Sequence, residues 1–322
     1  MGTAPVLDAT TARYDIACCL CGSRERVVVH EKPPFQIVRC TGGSGSGGGS
    51  GTASGCGLVY TVPWLDRAAL RAMYQRDYWK SDAAKDFGYT DYVADEALYV
   101  RTFRMRSELV ARHKAPPAKL LDVGCAAGFA LTALRERGYD VHGVELSAEM
   151  AALAGQRLAA PERIHCGILD DVEQRALFGG KFDVITLFDV VEHIEDPVAF
   201  LATARRLLAP GGILVFETQN VASLFARLMG LSWQHYKFQE HLWHFDPKTM
   251  PRLLQKAGFE LVEWSPRRGG KHVSLRFLVE RAGRVHPWLS KLLAPLRLLG
   301  NRSLYVNVFD EMLVVARPAA GA

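Results

Sequence analysis

Three groups of residues in this chain have types and spacings that could do chemistry. Two acids, Asp122 and Glu145, each close an apolar run, and the first is followed by Gly124 and Gly128, four residues apart. Carboxylates at such strand ends can hold hydroxyls or a cationic group, and glycines let the backbone come close to a ligand. Two histidines, His193 and His241, lie in segments rich in aromatic and acidic neighbours. Imidazoles can accept and return a proton near neutral pH. Four cysteines, Cys18, Cys21, Cys40 and Cys56, could surround one tetrahedral ion with thiolates.

The first group needs a particular frame. Lys119 to Gly128 reads as a buried parallel strand turning tightly into a helix, whose first N–H groups are unpaired. A second strand, Asp140 to Leu146, carries Glu145 near its end, where a ribose hydroxyl pair could be taken. A dinucleotide site wants G-x-G-x-x-G, but here the turn is G-x-x-x-G with Ala126 and Ala127 inside. The preceding Asp122 would repel a diphosphate and suits a ligand with a free amino group and a sulfonium.

At these residues the chain resembles the class I S-adenosylmethionine (SAM)-dependent methyltransferases. Leu120 to Gly128 matches their opening motif with Ala126 in place of the middle glycine. Lys181–Leu187 followed by Asp189–Pro197, then Leu207–Phe216 with its Pro-Gly-Gly turn, then Leu253–Phe259, repeat the likeness in the family's order. The resemblance implies an α/β fold, a doubly wound seven-stranded Rossmann-like sheet whose last strand is antiparallel. Strands are predicted near 118–123, 140–146, 162–166, 182–187, 212–217, 259–265 and 310–316.

It also implies a cofactor set: Asp122, Gly124, Cys125, Ala126 and Gly128 at the methionyl part and Glu145 with Leu146 at the ribose. Phe188 and Asp189 follow the fourth strand. Asp170 stands in for the family's adenine-binding acid, because Ile168 occupies the usual position. His193 and His241 are the candidate bases. Asp189-x-x-Glu192-His193 also resembles the E-x-x-E-H stretch with which some relatives hold a divalent ion, although aspartate replaces the first glutamate.

The cysteines read as a separate module. Residues 42–55 contain only Gly, Ser, Thr and Ala, a composition that cannot bury apolar surface. Without thirteen of them, Cys40 and Cys56 would form a second C-x2-C pair after Cys18 and Cys21. Two such knuckles resemble the N-terminal zinc ribbon of some bacterial methyltransferases and imply a structural zinc ion; free cysteines in a small β-module are the alternative. The domains expected are residues 1–62 as this ribbon-like module, interrupted at 42–55, then 63–115 as a helical cap or linker with helices at Leu65–Tyr78 and Asp95–His113. Residues 116–322 would be the SAM-binding core, with insertions at 221–246 and 273–305. Aromatics of the cap, Tyr78, Trp79, Phe87, Tyr89 and Tyr92, are candidates for lining an acceptor pocket.

At 322 residues, 49% hydrophobic and 23% charged, the chain has an ordinary globular composition. No apolar run approaches the roughly 18 residues of a spanning helix, and no basic-then-apolar leader opens the chain. A cytoplasmic protein with reduced thiols is expected. From Pro266 to Arg302 nine Lys or Arg residues face the single acid Glu280, yet no recognisable nucleic-acid module accompanies them, so nucleic acid is not expected as a partner. Between 286 and 300 the sequence is amphipathic and basic. Packing on the core or in a homo-oligomer is the preferred reading there, and contact with an anionic membrane or lipid-linked substrate the sharper alternative. The functional expectation is a SAM-dependent methyltransferase acting on a small-molecule acceptor such as a sugar, a quinone-like compound or a secondary-metabolite intermediate. The competitors are an NAD-dependent oxidoreductase and a non-catalytic zinc-binding adaptor that retains the fold.

Overall fold

The structure is a computed structural model, which describes residues 12–42, 55–66, 68–70, 79, 92–93, 95–275, 277–279, 287–295 and 302–320. Its centre is a seven-stranded sheet. The strands are β6 (Lys119–Val123), β7 (Asp140–Glu145), β8 (Ile164–Cys166), β9 (Phe182–Phe188), β10 (Leu208–Gln219), β12 (Phe259–Ser265) and β15 (Glu311–Pro318), in the order β12-β15-β10-β9-β6-β7-β8. Neighbours from β10 to β8 pair in parallel, while β15 is antiparallel to both β10 and β12. All seven strands fall where the sequence places them, and the fold is the doubly wound Rossmann-like α/β class. Buried on both faces, β6 reads as the continuous apolar run Leu120–Leu121 closed by Asp122 and Val123.

Helices cover both faces. On one lie α1 (Glu96–His113) and α2 (Phe129–Glu136), and α3 (Ala148–Leu158) follows β7; α4 (Leu169–Gln174), α5 (Pro197–Leu207) and α7 (Met250–Lys256) complete the layers. Their starts are written locally. Ser147 caps α3 by accepting from Met150 N, and Asp196 caps α5 from Ala199 N with Pro197 at the first turn. Chain order runs outward from β6 to β8, then returns to β9 on the other side of β6. The topological switch point therefore lies between β6 and β9, and ligands bind at the carboxyl ends beside such a point.

The N-terminal segment folds into a second sheet, in the order β11-β4-β3-β2, from β2 (Arg26–Lys32), β3 (Phe35–Cys40), β4 (Val59–Val62) and β11 (Trp243–His244). Its last strand comes from the 221–246 insertion, so the cysteine module shares its sheet with the core. Trp64–Leu65 forms β5 and pairs with β1 (Ala12–Arg13), which removes Leu65 from the helix the sequence predicts at 65–78; helix is described at 68–70, and the rest of that predicted helix lies outside the described residues. The Gly/Ser run at 43–54 also lies outside them. The 221–246 insertion also contains α6 (Leu224–Met229), capped by Ser223. The 273–305 insertion is framed by the antiparallel pair β13 (Lys271–Ser274) and β14 (Ser303–Val306). It holds α8 (Pro287–Leu293), on which Trp288 and Leu292 are exposed. Among the described residues, no helix is long and apolar enough to cross a membrane.

Candidate active site

A cavity of about 1150 Å³ opens over the carboxyl ends of the strands and runs from the switch point to both insertions. One end is built by the turn after β6. Gly124 and Ala126 take left-handed backbone angles, φ 75° and 46°, and a Cβ on Gly124 would lie 2.7 Å from Val190. The turn is tied to β7, because Glu145 accepts from Ala126 N at 2.9 Å and from Ser147 N at 2.7 Å. Thr186 Oγ1 donates to Asp122 at 2.7 Å. Burial dominates over that bond and, with the charge of Glu145 nearby, raises the Asp122 carboxyl to about 7.

Asp122, Gly124, Cys125, Ala126, Glu145, Leu146, Asp170, Phe188 and Asp189 all line the cavity, as the sequence places them. Gly128 does not. It is the N-cap of α2 at φ 80°, packed so closely on Ala154 that a Cβ would lie 3.1 Å away, so its glycine serves helix packing. Trp79 and Tyr92 line the cavity too, with ring centroids 5.1 Å apart; the other aromatics proposed for this wall lie outside the described residues.

At the other end stand His193 and His241, ring centroids 4.7 Å apart and perpendicular. His193 Nδ1 lies 2.9 Å from Glu240 O, and His241 Nδ1 lies 2.8 Å from His235 O. Carbonyls only accept, so both imidazoles carry their proton on Nδ1 and present Nε2 as the basic nitrogen. Burial lowers both below the ordinary histidine range, His241 further than His193. His244, by contrast, turns away from the cavity and is held down to about 3 by burial.

The metal stretch read from the sequence is only partly assembled. Donor atoms of Glu192, His193 and His241 lie within 4.8 Å of one another, whereas Asp189 is paired with Lys271 Nζ at 3.4 Å. His241, distant in sequence, takes the place expected for Asp189. Burial drives the Glu192 carboxyl well above its usual range, reinforced by the charge of Asp189, and it accepts from Thr218 Oγ1 at 3.0 Å.

Behind the histidines lies an ion network that sequence reasoning missed. Arg106 of α1 donates to Glu217 at the end of β10, and its Nη2 is 3.9 Å from Glu311. Lys271 Nζ reaches Glu311 at 2.6 Å, and His235 Nε2 stands 3.3 Å from Glu311 and 3.4 Å from Asp310. Burial would raise Asp189, but the Lys271 and Arg106 cations outweigh it and bring it to about 2. Only Glu217 carried a readable signal, an acid closing the fifth strand as Asp122 closes the first.

The four cysteines converge as the spacing predicts. Their sulfurs lie within 4.8 Å of one another, with Cys18–Cys56 at 3.3 Å and Cys21–Cys40 at 3.4 Å. Each pair is followed by a glycine at positive φ, Gly22 and Gly57, and Gly22 N and Gly57 N donate back to Cys18 O and Cys40 O. Cys19 is not part of the group.

An acid-closed strand, a glycine turn and a strand-end crevice at a switch point define a doubly wound α/β protein with a cofactor-sized cleft. Residues 95–264 match the family model described as "Methyltransferase domain", and the chain belongs to that family. It is 32% identical over 156 residues to the ubiquinone biosynthesis O-methyltransferase of Cereibacter sphaeroides, 45% of this chain and 61% of that protein. To the malonyl-[acyl-carrier protein] O-methyltransferase of Serratia marcescens it is 35% identical over 142 residues, 44% of this chain and 53% of the other. The chain thus spans less than two thirds of the length of these relatives. Magnesium protoporphyrin IX methyltransferase from Synechocystis PCC 6803, solved with bound SAH, superposes with a TM-score of 0.47 at 18% identity, covering 79% of this chain and 100% of that one.

Proposed function

We propose that this protein is a SAM-dependent methyltransferase acting on a small organic acceptor through a hydroxyl group. The observation that carries the reading is one continuous cavity with the Asp122–Ala126 turn and Glu145 at one end and two Nε2-presenting histidines at the other. SAM, when bound, supplies an already activated methyl group. The chain's part is then placement. Asp122 would hold the amino end of the cofactor, Glu145 its ribose and Asp170 its base, with Leu146, Phe188 and Asp189 along the wall. Holding acceptor and methyl in line can remove much of the barrier. His193 Nε2 takes the proton of the acceptor hydroxyl, with His241 beside it, and the apolar surfaces of Phe277, Leu278 and Val306 enclose the acceptor. Both named relatives are O-methyltransferases, which agrees with an oxygen acceptor. Trp288 and Leu292 would give a lipid-linked acceptor its landing surface.

Calorimetric titration with S-adenosylhomocysteine and with NADH tests the cofactor; binding of NADH instead would sink the reading. Glu145→Ala should weaken S-adenosylhomocysteine binding roughly tenfold or more, as expected when a charged hydrogen-bond partner is lost. His241→Ala should lower turnover much more than cofactor affinity, whereas His193→Ala should lower both. A chain that binds SAM yet turns over none of the catechol, sugar and carboxylate acceptors offered would favour the adaptor.

The ribbon reading is that Cys18, Cys21, Cys40 and Cys56 hold a structural zinc ion. Four sulfurs this close suit it, since tetrahedral zinc at about 2.3 Å from each sulfur places them about 3.8 Å apart. Residues 1–62, 63–115 and 116–322 are the units we assign on this basis. The Glu192–His193–His241 cluster favours one second reading, a divalent ion at the acceptor end. Elemental analysis separates the two: one ion lost in Cys18→Ser/Cys21→Ser is the ribbon's, and a second that survives the substitution belongs to the histidines.

A further inference from the structure

Thr61 ties the cysteine module to the acceptor end of the cavity. Thr61 of β4 is fully buried, five positions after Cys56. Its backbone N donates to Leu242 O at 3.0 Å, and its Oγ1 donates to His241 O at 2.8 Å. Oγ1 also lies 3.1 Å from His244 Nε2. The single hydroxyl proton is given to the His241 carbonyl, so His244 Nε2–H must donate to Oγ1, which leaves His244 Nδ1 as an acceptor. Gln219 Nε2 supplies that donor at 3.4 Å while giving its other hydrogen to Trp243 O at 2.8 Å. A directed chain of hydrogen bonds therefore runs from β10 through His244 and Thr61 to the backbone of His241, with every proton accounted for.

Apolar packing follows the same path. Trp243 packs tilted against Tyr60 and edge-on against Trp64, at 5.5 and 5.0 Å between centroids. Phe35, Ile37 and Val59 of the module form one buried cluster with Trp233, Tyr236 and Phe238 of the insertion. The strands that make these contacts begin or end at the cysteines, since β3 closes on Cys40 and β4 opens three residues after Cys56.

We propose that the cysteine module is a positioning element of the acceptor site, with Thr61 as the positioning residue that fixes His241 and the four-thiolate site as what fixes Thr61. This rests on His241 facing the acceptor; whether His241 contributes to turnover is decided separately by His241→Ala. A module that served only its own stability would need no bond to that carbonyl.

The test is made on the full chain, loaded with zinc and labelled with 15N-histidine. The His241 ring N–H signal is identified by its loss in His241→Gln, and its exchange with solvent is measured. Thr61→Val, which keeps the shape and removes the hydroxyl, should speed that exchange about tenfold, a size set by one lost buried hydrogen bond. Thr61→Ser should stay within about threefold of the parent. Cys18→Ser/Cys21→Ser should behave like Thr61→Val, and S-adenosylhomocysteine affinity by calorimetry should stay within about threefold throughout. Unchanged exchange in Thr61→Val overturns the proposal. Loss of S-adenosylhomocysteine binding in step with faster exchange overturns it as well, because the module would then be supporting the whole fold and not His241.

Discussion

The two ends of the cavity are made in different ways. The cofactor end is largely one local structure: a strand, a turn from Gly124 to Gly128 and a helix start, with Glu145 at the end of the next strand accepting from Ala126 N. The acceptor end has no such segment. Arg106 comes from α1, Asp189 and His193 from the loop after β9, His235 and His241 from one insertion, Lys271 from β13, Glu311 from β15. Chemistry that a backbone turn imposes is written in consecutive residues. Chemistry that depends on side chains meeting across a sheet is written only in the fold.

The sharpest way to break this comparison is at Arg106. If the ion network belongs to the acceptor end and the fold, Arg106→Met should destabilise the protein by about 3–5 kcal/mol in urea unfolding, since it strands the buried Glu217 without its cation, while Glu311 keeps Lys271 and His235. The burial that already raises Glu217 toward its neutral form argues for the lower part of that range. Arg106→Met combined with Glu217→Leu should recover most of the loss. Folded variants should bind S-adenosylhomocysteine normally, and a matching loss of affinity would show that the two ends are one network.

Asp122 sharpens the other end. Its folded carboxyl lies at about 7 against an ordinary 3.8, so the protonated form is the one folding favours. The stability it contributes is full below pH 3.8 and is lost as pH rises through 7, a difference on the order of a few kcal/mol. Asp122→Asn should therefore unfold at higher urea than the parent at pH 8, with the advantage gone at pH 4. Binding should run oppositely. A ligand amino group favours the carboxylate, so affinity for S-adenosylhomocysteine should rise by up to about tenfold per pH unit below 7 and level off above it. Asp122→Asn should flatten that rise; an unchanged slope would place the ligand's amino group elsewhere.

How much could be read in advance follows the same division. All seven strands were legible: β6, β9 and β10 as buried parallel runs of apolar residues, and β7 with the shorter, half-exposed or antiparallel β8, β12 and β15 through their place in the family's order. So were the cysteine pairs, whose knuckle spacing survives the intervening Gly/Ser run. Leu65 was misplaced since an apolar residue opening a helical pattern reads alike when it pairs with Ala12 in a two-residue strand. Gly128 is ambiguous in the sequence, because its left-handed φ and its contact with Ala154 call for glycine as strongly as a cofactor would. His241 was visible as a histidine, but its partnership with Glu192 and His193 needed the insertion to fold back under β4.

The smallest expected effect concerns Ala126, the one departure in the turn. At φ 46° it occupies the left-handed region, which costs a non-glycine residue about 1–2 kcal/mol. Glycine would remove that strain, while its freer unfolded chain would take back about 0.4–1 kcal/mol. Ala126 is nearly buried, so deleting its methyl group also forfeits a little packing. These terms nearly cancel. Ala126→Gly should shift stability by less than about 1 kcal/mol and leave S-adenosylhomocysteine affinity within about threefold, because the N–H that donates to Glu145 is retained. A loss of 2 kcal/mol or more in urea unfolding would mean that the methyl group fills a contact the turn depends on, and that the cofactor end, like the acceptor end, is held by side chains as much as by its backbone.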